Sequence, residues 1–200
     1  MAAVAGKPWR LPARGLVVVH GAGEAGRLSH YFLPRLLMRG ERVLFLDGAN
    51  CANPRRIARF ARERGLPFEQ FSRRIQIARA FTCFQLTELT ARVPRFLEDF
   101  PARVLMVTAL PDLYFDEDVR DWEARVAFEQ ALRNLRRLAE LPLSVAVFSD
   151  ARAFLVPEGR RRFFPQLKRE ANEVWTFRSG AKGRSELACE RAPSPLGSGR

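Results

Sequence analysis

Apolar and polar positions along the chain follow two periods, which predict strands and helices in turn. Strand-sized apolar runs bounded by glycine, proline or charge predict strands at residues 15–20, 42–47, 75–80, 103–108 and 143–148. Helical periodicity predicts helices at residues 28–38, 55–64, 85–99 and 121–140, with a helical turn at 69–71. Strands joined by helical crossovers predict an α/β fold with a mostly parallel sheet.

Composition divides the chain into three parts. Residues 1–14 form a predicted N-terminal arm, and residues 15–178 a single α/β domain that ends in an edge strand at 174–178. Residues 179–200 are rich in glycine, serine, proline and charge, so a disordered basic tail is expected. In the helix at 121–140, periodicity predicts one buried stripe, made of Trp122, Val126, Leu132, Leu135 and Leu138.

The balance of charge is strongly basic. The formal net charge of +12 favours a polyanionic partner, with DNA first among the candidates. The alternative is that base composition of the genome produced the excess, since only Lys7, Lys168 and Lys182 are lysines. No apolar run approaches the ~20 residues that span a bilayer, and the first residues lack the pattern of a secretory signal. No membrane contact and a cytoplasmic location are therefore expected.

Histidine and cysteine give no sign of a catalytic or metal site. Cys51, Cys83 and Cys189 are far apart and form no C-x-x-C pair, which favours reduced structural thiols. His20 ends a predicted strand and His30 lies in the next helix. Packing or loop roles are predicted for both histidines.

A glycine-rich turn follows the first predicted strand and opens a helix. Gly21, Gly23 and Gly26 match the dinucleotide fingerprint G-x-G-x-x-G, and Asp47 lies where that motif places a ribose-binding acid. The same turn fits the frame of a phosphate loop, G-x-x-x-x-G-K-[ST], with Arg27 in the lysine position. Backbone amides and Arg27 would favour a nucleotide phosphate. A turn that only joins strand to helix is the third interpretation.

Later segments distinguish these interpretations. Residues 43–47, 53–58 and 64–66 resemble the second strand and following helix of RadA-type recombinases. The Ala-Arg-Ala-Phe segment that ends at Phe81 is similar to a more specific feature of that family. Residues 103–107 and 145–150 resemble its second nucleotide-motif strand and its sensor strand. The resemblance to the RecA/RadA recombinase core extends over residues 15–150 and implies a RecA-like P-loop NTPase fold.

The groups that such a core uses to hydrolyse ATP are absent by this alignment. Leu28 replaces the metal-binding hydroxyl of the phosphate loop, and Thr108 replaces the metal-binding carboxylate. Ala49 lies where the resemblance implies a water-activating glutamate. The motifs are degenerate, so the chain is not expected to be an enzyme. ATP bound without hydrolysis at Gly21, Gly23, Gly26 and Arg27 stays open as its one cofactor.

The resemblance also implies where DNA would bind. The loop after the sensor strand contacts single-stranded DNA in the family, and here it carries the basic candidates Arg152, Arg160, Arg161, Arg162 and Lys168. Phe163 and Phe164 lie among them, either to stack on bases or to fill the core. The family's other DNA loop corresponds to residues 115–123, which are mainly acidic and favour a basic protein partner instead.

Three hypotheses follow. The first is a non-hydrolysing RecA/RadA-like paralogue that binds DNA, a recombinase partner or both, in DNA recombination or DNA repair. The second is a Rossmann-type NAD(P)-binding oxidoreductase that uses Gly21, Gly23, Gly26 and Asp47. The third is a protein-interaction module that contacts neither nucleotide nor DNA.

Overall fold

A computed structural model describes residues 3–4, 7–8, 10–21, 25–151, 155–179 and 185–192. The strands within these ranges are β1 Ala3–Val4, β2 Lys7–Pro8, β3 Gly15–His20, β4 Val43–Asp47, β5 Ile75–Arg79, β6 Val104–Thr108, β7 Ser144–Ser149, β8 Glu173–Ser179 and β9 Ser185–Arg191. The helices are α1 Ala25–Met38, α2 Pro54–Arg62, α3 Phe68–Ser72, α4 Cys83–Asp99, α5 Asp121–Glu140 and α6 Phe163–Glu170. Short 3-10 turns lie at Asp112–Phe115 and Glu158–Arg160.

The main sheet confirms the predicted α/β class. Its strand order is β5-β4-β6-β7-β3-β8-β9, and all pairs are parallel except β8 with β9. Every residue of β3, β4, β6 and β7 is buried, as expected for parallel strands covered on both faces. This burial explains why these strands are continuous apolar runs in the sequence.

Helices cover both faces of the sheet. α1, α2 and α3 pack over one core, to which Val17, Phe45 and Phe148 contribute. α4, α5 and α6 pack over the other, to which Val18, Leu46 and Val147 contribute. Crossovers toward β5 pass over the first face and those toward β8 pass over the second, so all crossovers have the same hand.

Two predictions about the second half of the chain are wrong. Residues 179–200 were expected to be disordered, but Ser185–Arg191 form β9, which pairs with β8 and buries Leu187. The strand is held by Arg191, whose Nη1 donates to the carbonyls of Lys168, Arg169 and Ala171. Antiparallel pairing with β8 supplies the apolar and hydrogen-bonding partners that the tail lacks in its own composition.

The buried stripe of α5 also differs from the prediction. Leu132, Leu135 and Leu138 are buried, whereas Trp122 is 56% exposed and Val126 is 53% exposed. Small residues and Phe128 take the buried positions of the first three turns, which are Ala124, Ala127, Phe128 and Ala131. The helix therefore approaches the sheet closely and leaves its first apolar side chains in solvent. Within the described ranges, no helix combines the length and apolar character required to cross a membrane.

Candidate functional site

The carboxyl edge of the parallel sheet contains crevices where the connections of neighbouring strands diverge. Crossovers from β3 and β4 pass to the face of α1–α3, whereas those from β5, β6 and β7 pass to the face of α4–α6. Strand β4 therefore diverges from both β5 and β6, and β3 diverges from β7. Ligands of open α/β sheets bind in such crevices.

The glycine turn lies at the β3–β7 crevice. Gly21 is buried, and its backbone N–H donates to the carbonyl of Ser149 at 3.2 Å. A Cβ at Gly21 would meet Phe177 at 3.4 Å, an ordinary van der Waals contact, so packing alone does not require glycine there. Gly23 lies outside the described residues, and for Gly26 and Arg27 only their helical backbone in α1 is described. Gly21, directly after β3, thus lies at the carboxyl edge of the sheet.

Asp47 fills the β4–β6 crevice. Its carboxylate is buried and accepts hydrogen bonds from the backbone N–H groups of Cys51 at 2.9 Å and Ala52 at 2.8 Å. The Thr108 hydroxyl also donates to it at 3.2 Å, and Arg79 Nε lies 3.7 Å away. Asp47 therefore holds the loop after β4 in place, and this set of partners does not favour the ribose contact of the oxidoreductase hypothesis.

The residues present do not form a magnesium site like that of an ATP-hydrolysing core. Thr108 is committed to Asp47 and to the backbone N–H of Ala49, which donates to its hydroxyl at 3.1 Å. Leu28 packs into the core of α1–α3. Ser29, the hydroxyl residue that follows Leu28 in the chain, is buried, with its Oγ 3.6 Å from Cys51 Sγ. A neutral hydroxyl and an apolar side chain provide no charge to balance a divalent ion.

A second acid, Asp112, lies between β6 and β7 at the same edge. Its carboxylate accepts hydrogen bonds from Ser149 Oγ at 2.7 Å and from the backbone N–H of Asp150 at 2.8 Å. Burial raises the pKa of Asp112 to about 6, although both hydrogen bonds oppose the shift. Sequence reasoning gave Asp112 no role because it falls out of register with the family pattern. The one feature of the sequence that could have indicated a role for Asp112 was its position in the loop after the buried strand β6.

The two histidines have the packing and loop roles that were predicted. His20 is buried and its Nε2 lies 3.0 Å from Glu190 Oε1, with Thr176 Oγ1 also 3.0 Å away. His30 Nε2 accepts from the backbone N–H of Asn53 at 3.0 Å, next to the start of α2. Burial and nearby Arg56 lower the pKa of His30, so it is neutral and can act as the acceptor.

The predicted DNA-binding residues fall into different environments. Arg160 is 2% exposed, and its guanidinium donates to Asp121 and to the backbone carbonyls of Tyr114, Asp116 and Val119. These contacts leave Arg160 no surface for a phosphate, so its role is to support the acidic loop. The buried position thus argues against the predicted DNA contact.

The other basic candidates are also separated. Lys168 Nζ lies 3.0 Å from Glu190 Oε2 and 5.3 Å from the ring centroid of Phe164, so its charge is already paired. Arg161 and Arg162 are exposed, and Arg152 lies outside the described residues. Only Arg161 and Arg162 of the described candidates are thus both exposed and without an ion-pair partner in the described part of the chain.

The two phenylalanines in this region belong to the core. Phe163 is buried and stacks on Phe128, with ring centroids 4.5 Å apart. Phe164 is half-buried and packs edge-on against His20 at 5.0 Å. Of the two alternatives for these side chains, the core position is confirmed. Base stacking would need another aromatic side chain.

An open groove next to Arg161 contains an exposed aromatic side chain, Trp122. Its volume is about 540 Å³, and its lining residues are Asp121, Trp122, Arg125, Glu158, Gly159, Arg161 and Arg162. The contact between Arg160 and Asp121 fixes one wall, and a side chain at Gly159 would come within 2.5 Å of Asp121. Because Asp121 is already paired with Arg160, the three arginines of the lining outnumber the one remaining acid, Glu158, and positive charge predominates in the groove. Sequence reasoning missed Trp122 as a surface residue because its spacing fitted the apolar stripe.

No protein-family model matches the chain. None of the curated proteins is a significant match to its sequence.

Proposed function

We propose that this chain is a RecA/RadA-like paralogue that binds single-stranded DNA without hydrolysing ATP. The observation that carries the proposal is the groove in which exposed Trp122 lies among Arg125, Arg161 and Arg162. Arginines neutralise the phosphate backbone and an exposed indole stacks on bases, the combination typical of single-strand binding. A role in DNA recombination or repair in the cytoplasm is part of the proposal.

The strand order supports the RecA-like interpretation against the dinucleotide alternative. In the doubly wound order 3-2-1-4-5-6, the first strand lies beside the second. Here β3, the strand before the glycine turn, pairs with β7 and β8, and two strands, β7 and β6, separate it from β4. The Asp47 carboxylate, which is hydrogen-bonded within the protein, also argues against the dinucleotide alternative.

The lack of hydrolysis is argued from side-chain chemistry. Phosphoryl transfer requires a metal-holding carboxylate and a group that positions the attacking water. Thr108 and Ala49 replace those groups, and the Thr108 hydroxyl is bound to Asp47. A nucleotide phosphate held at the glycine turn without turnover remains part of the proposal.

The proposal is tested by anisotropy of labelled oligothymidylate at several salt concentrations. The variant Arg161→Gln/Arg162→Gln should weaken binding and lower the slope of log Kobs against log salt by about 1.4, or about 0.7 for each lost phosphate contact. Trp122→Ala should weaken binding by at least about fivefold through lost stacking, with the slope unchanged.

The matched control is Arg55→Gln/Arg62→Gln, which removes the same charge from exposed positions of α2 on the opposite face. It should leave affinity and slope near those of the wild type. Equal losses in both double variants would show that net charge alone attracts DNA and would contradict the proposed groove. No binding at low salt would reject DNA as the partner.

A second candidate function is binding of a protein partner such as a recombinase. Phe81 and Phe84 are 63% and 48% exposed at the start of α4. α4 and α5 lie parallel, since Thr87 Oγ1 donates to the Ala127 carbonyl and Asn134 Nδ2 donates to Thr90 Oγ1. Phe84 and Trp122 therefore lie at the same end of this helix pair, and exposed apolar clusters of this kind are typical of protein interfaces.

Co-sedimentation with a RecA-type filament distinguishes the two functions. Phe81→Ser/Phe84→Ser should abolish co-sedimentation if a recombinase binds there, and should leave oligothymidylate affinity unchanged. Co-sedimentation that persists in this variant but is lost in Arg161→Gln/Arg162→Gln would assign the interaction to shared DNA instead.

A further inference from the structure

A cavity of about 730 Å³ lies at the amino edge of the sheet, opposite the groove and the glycine turn. It is bounded by the ends of α1 and α4 and by the first residues of β6 and β7. Its walls are mainly apolar and include Leu11, Leu36, Ala102, Val104 and Pro142. Its size falls within the range of small-molecule sites, about 300–1,000 Å³.

The floor of this cavity contains an unsatisfied polar group. Ser144 is 2% exposed, and its Oγ has no hydrogen-bond partner among the described residues. Side chains alternate along β7, so Ser144 shares the α1–α3 face with Ala146 and Phe148, the face on which Leu36 and Val104 also lie. Because the Oγ atom is also shielded from solvent, it lies just beneath the cavity surface, and polar recognition of a ligand must come from the rim.

The rim of the cavity carries unpaired positive charge. Arg39 and Arg103 both line it, and neither forms an ion pair within the described ranges. Glu41 is the one acid of the lining, and Arg42 lies in the adjoining groove with its guanidinium over Phe100. Arginines without carboxylate partners at the mouth of an apolar cavity are suited to an anionic head group.

We propose that this amino-edge cavity binds a small amphipathic anion. Its apolar body packs against Leu36, Val104 and Pro142, and its head group pairs with Arg39 and Arg103. A carboxylate and a phosphate monoester share this chemistry. The site is at the opposite edge of the sheet from the proposed DNA groove, so either proposal can fail without the other.

The experiment titrates the protein with 1-anilinonaphthalene-8-sulfonate, whose aromatic body and sulfonate match the proposed chemistry. Saturable fluorescence enhancement at one site is expected. Displacement by dodecanoate, dodecyl phosphate and dodecanol then identifies the head group. Dodecanol should compete at least tenfold more weakly than the better of the two anions, and the ratio between the anions separates carboxylate from phosphate.

Three variants locate the site, with far-UV circular dichroism to show that each is folded. Arg39→Gln/Arg103→Gln should weaken probe binding by at least tenfold, whereas Ser144→Ala, which removes a shielded hydroxyl, should bind like the wild type. Ala102→Phe should block the cavity and abolish saturable binding. Arg55→Gln/Arg62→Gln, with the same change of charge on α2, should bind like the wild type.

Two results would overturn the proposal. The first is probe binding that does not saturate, or that is unchanged in both Ala102→Phe and Arg39→Gln/Arg103→Gln. The second is equal competition by dodecanol and both anions, which would show an apolar cavity with no recognition of charge.

Discussion

Arg160 Nε donates to Asp121 Oδ1 at 2.8 Å, joining the turn before α6 to the first residue of α5. The remaining N–H groups of the same guanidinium bind the carbonyls of Tyr114, Asp116 and Val119. One buried side chain therefore satisfies the backbone of the acidic loop and shapes a wall of the proposed DNA groove. Its neighbours Arg161 and Arg162 have the same chemistry but point to solvent.

This difference predicts unequal effects of substitution. Arg160→Gln should lower the free energy of unfolding by about 3 kcal/mol, because it leaves buried carbonyls unpaired. Arg161→Gln should change it by less than about 0.5 kcal/mol, as is usual for exposed positions. Urea unfolding of both variants measures the contrast. A loss below about 1 kcal/mol for Arg160→Gln would contradict the structural role.

Thr108 provides a second prediction, on restoration of the missing carboxylate. Thr108→Asp should not create an Mg²⁺-dependent ATPase, because the new carboxylate would face that of Asp47 where a hydroxyl now donates. Two adjacent carboxylates resist ionising together, so the variant should be destabilised at neutral pH and should recover as pH falls.

The control for that variant is Thr108→Val, which keeps the shape and removes the hydroxyl. It should cost about 1–3 kcal/mol without the recovery at low pH. Thermal unfolding between pH 5 and pH 8 and a phosphate-release assay check both variants. ATPase activity in Thr108→Asp would refute the argument from Asp47.

Asp112 predicts a pH-dependent contribution to stability. Since burial raises its pKa from 3.8 to about 6, the folded state binds the proton more tightly than the unfolded state does. The stabilisation is fully present below pH 3.8 and is lost as pH rises through about 6. Asp112→Asn can still accept from Asp150 N–H and donate to Ser149 Oγ, so it should remove this dependence.

Urea unfolding at pH 4.5 and pH 7.5 tests the prediction. The wild type should lose about 2 kcal/mol relative to Asp112→Asn between the two values. Ser149→Ala serves as a second variant, because it removes one hydrogen bond but keeps the acid. A constant difference between wild type and Asp112→Asn across this range would show that Asp112 has an ordinary pKa.

The contacts of Glu190 predict that side chains stabilise β9 in addition to its backbone pairing with β8. Partial burial alone would raise the pKa of Glu190, but hydrogen bonds from Lys168 and Thr176 and the contact with His20 lower it to about 2. The stabilisation from Glu190 is therefore present above pH 4.5 and is lost as pH falls through about 2.

Amide hydrogen exchange measures the local stability of β9. Glu190→Gln should speed exchange of the amides of Ser185–Arg191 by several-fold, while amides of β7 keep their protection. Glu117→Gln, which makes the same change at an exposed position outside the strand, is the matched control and should have no effect on β9. Equal protection of β9 in wild type and Glu190→Gln would mean that the strand pairing alone holds it.

The sequence predicted the framework closely because burial on two faces leaves a direct trace in composition. β3 and α5 have the predicted bounds, β4 and β6 begin one residue later than predicted, and β7 is shifted by one residue at both ends. β9 was missed because a polar strand at the edge of a sheet depends on its partner. Its one buried leucine, Leu187, carries no periodic signal.

The site could be predicted only in part. The glycine turn, Asp47 and Thr108 were placed at the carboxyl edge because parallel strands present their ends together. The groove was not predicted, since Trp122 fits the apolar period of α5 as well as the leucines do. Its exposure follows from the small side chains that bring α5 close to the sheet.

By itself the sequence determined the α/β class and the buried strands and long helices of the framework, because these depend on local pattern and residue type. Tertiary structure alone decided which of three consecutive arginines is buried, which acid has a raised pKa and which serine lacks a partner. Those properties depend on acceptors and burial contributed by residues far away in the chain, such as Tyr114 for Arg160 and Ser149 for Asp112. The local sequence pattern does not identify such distant partners.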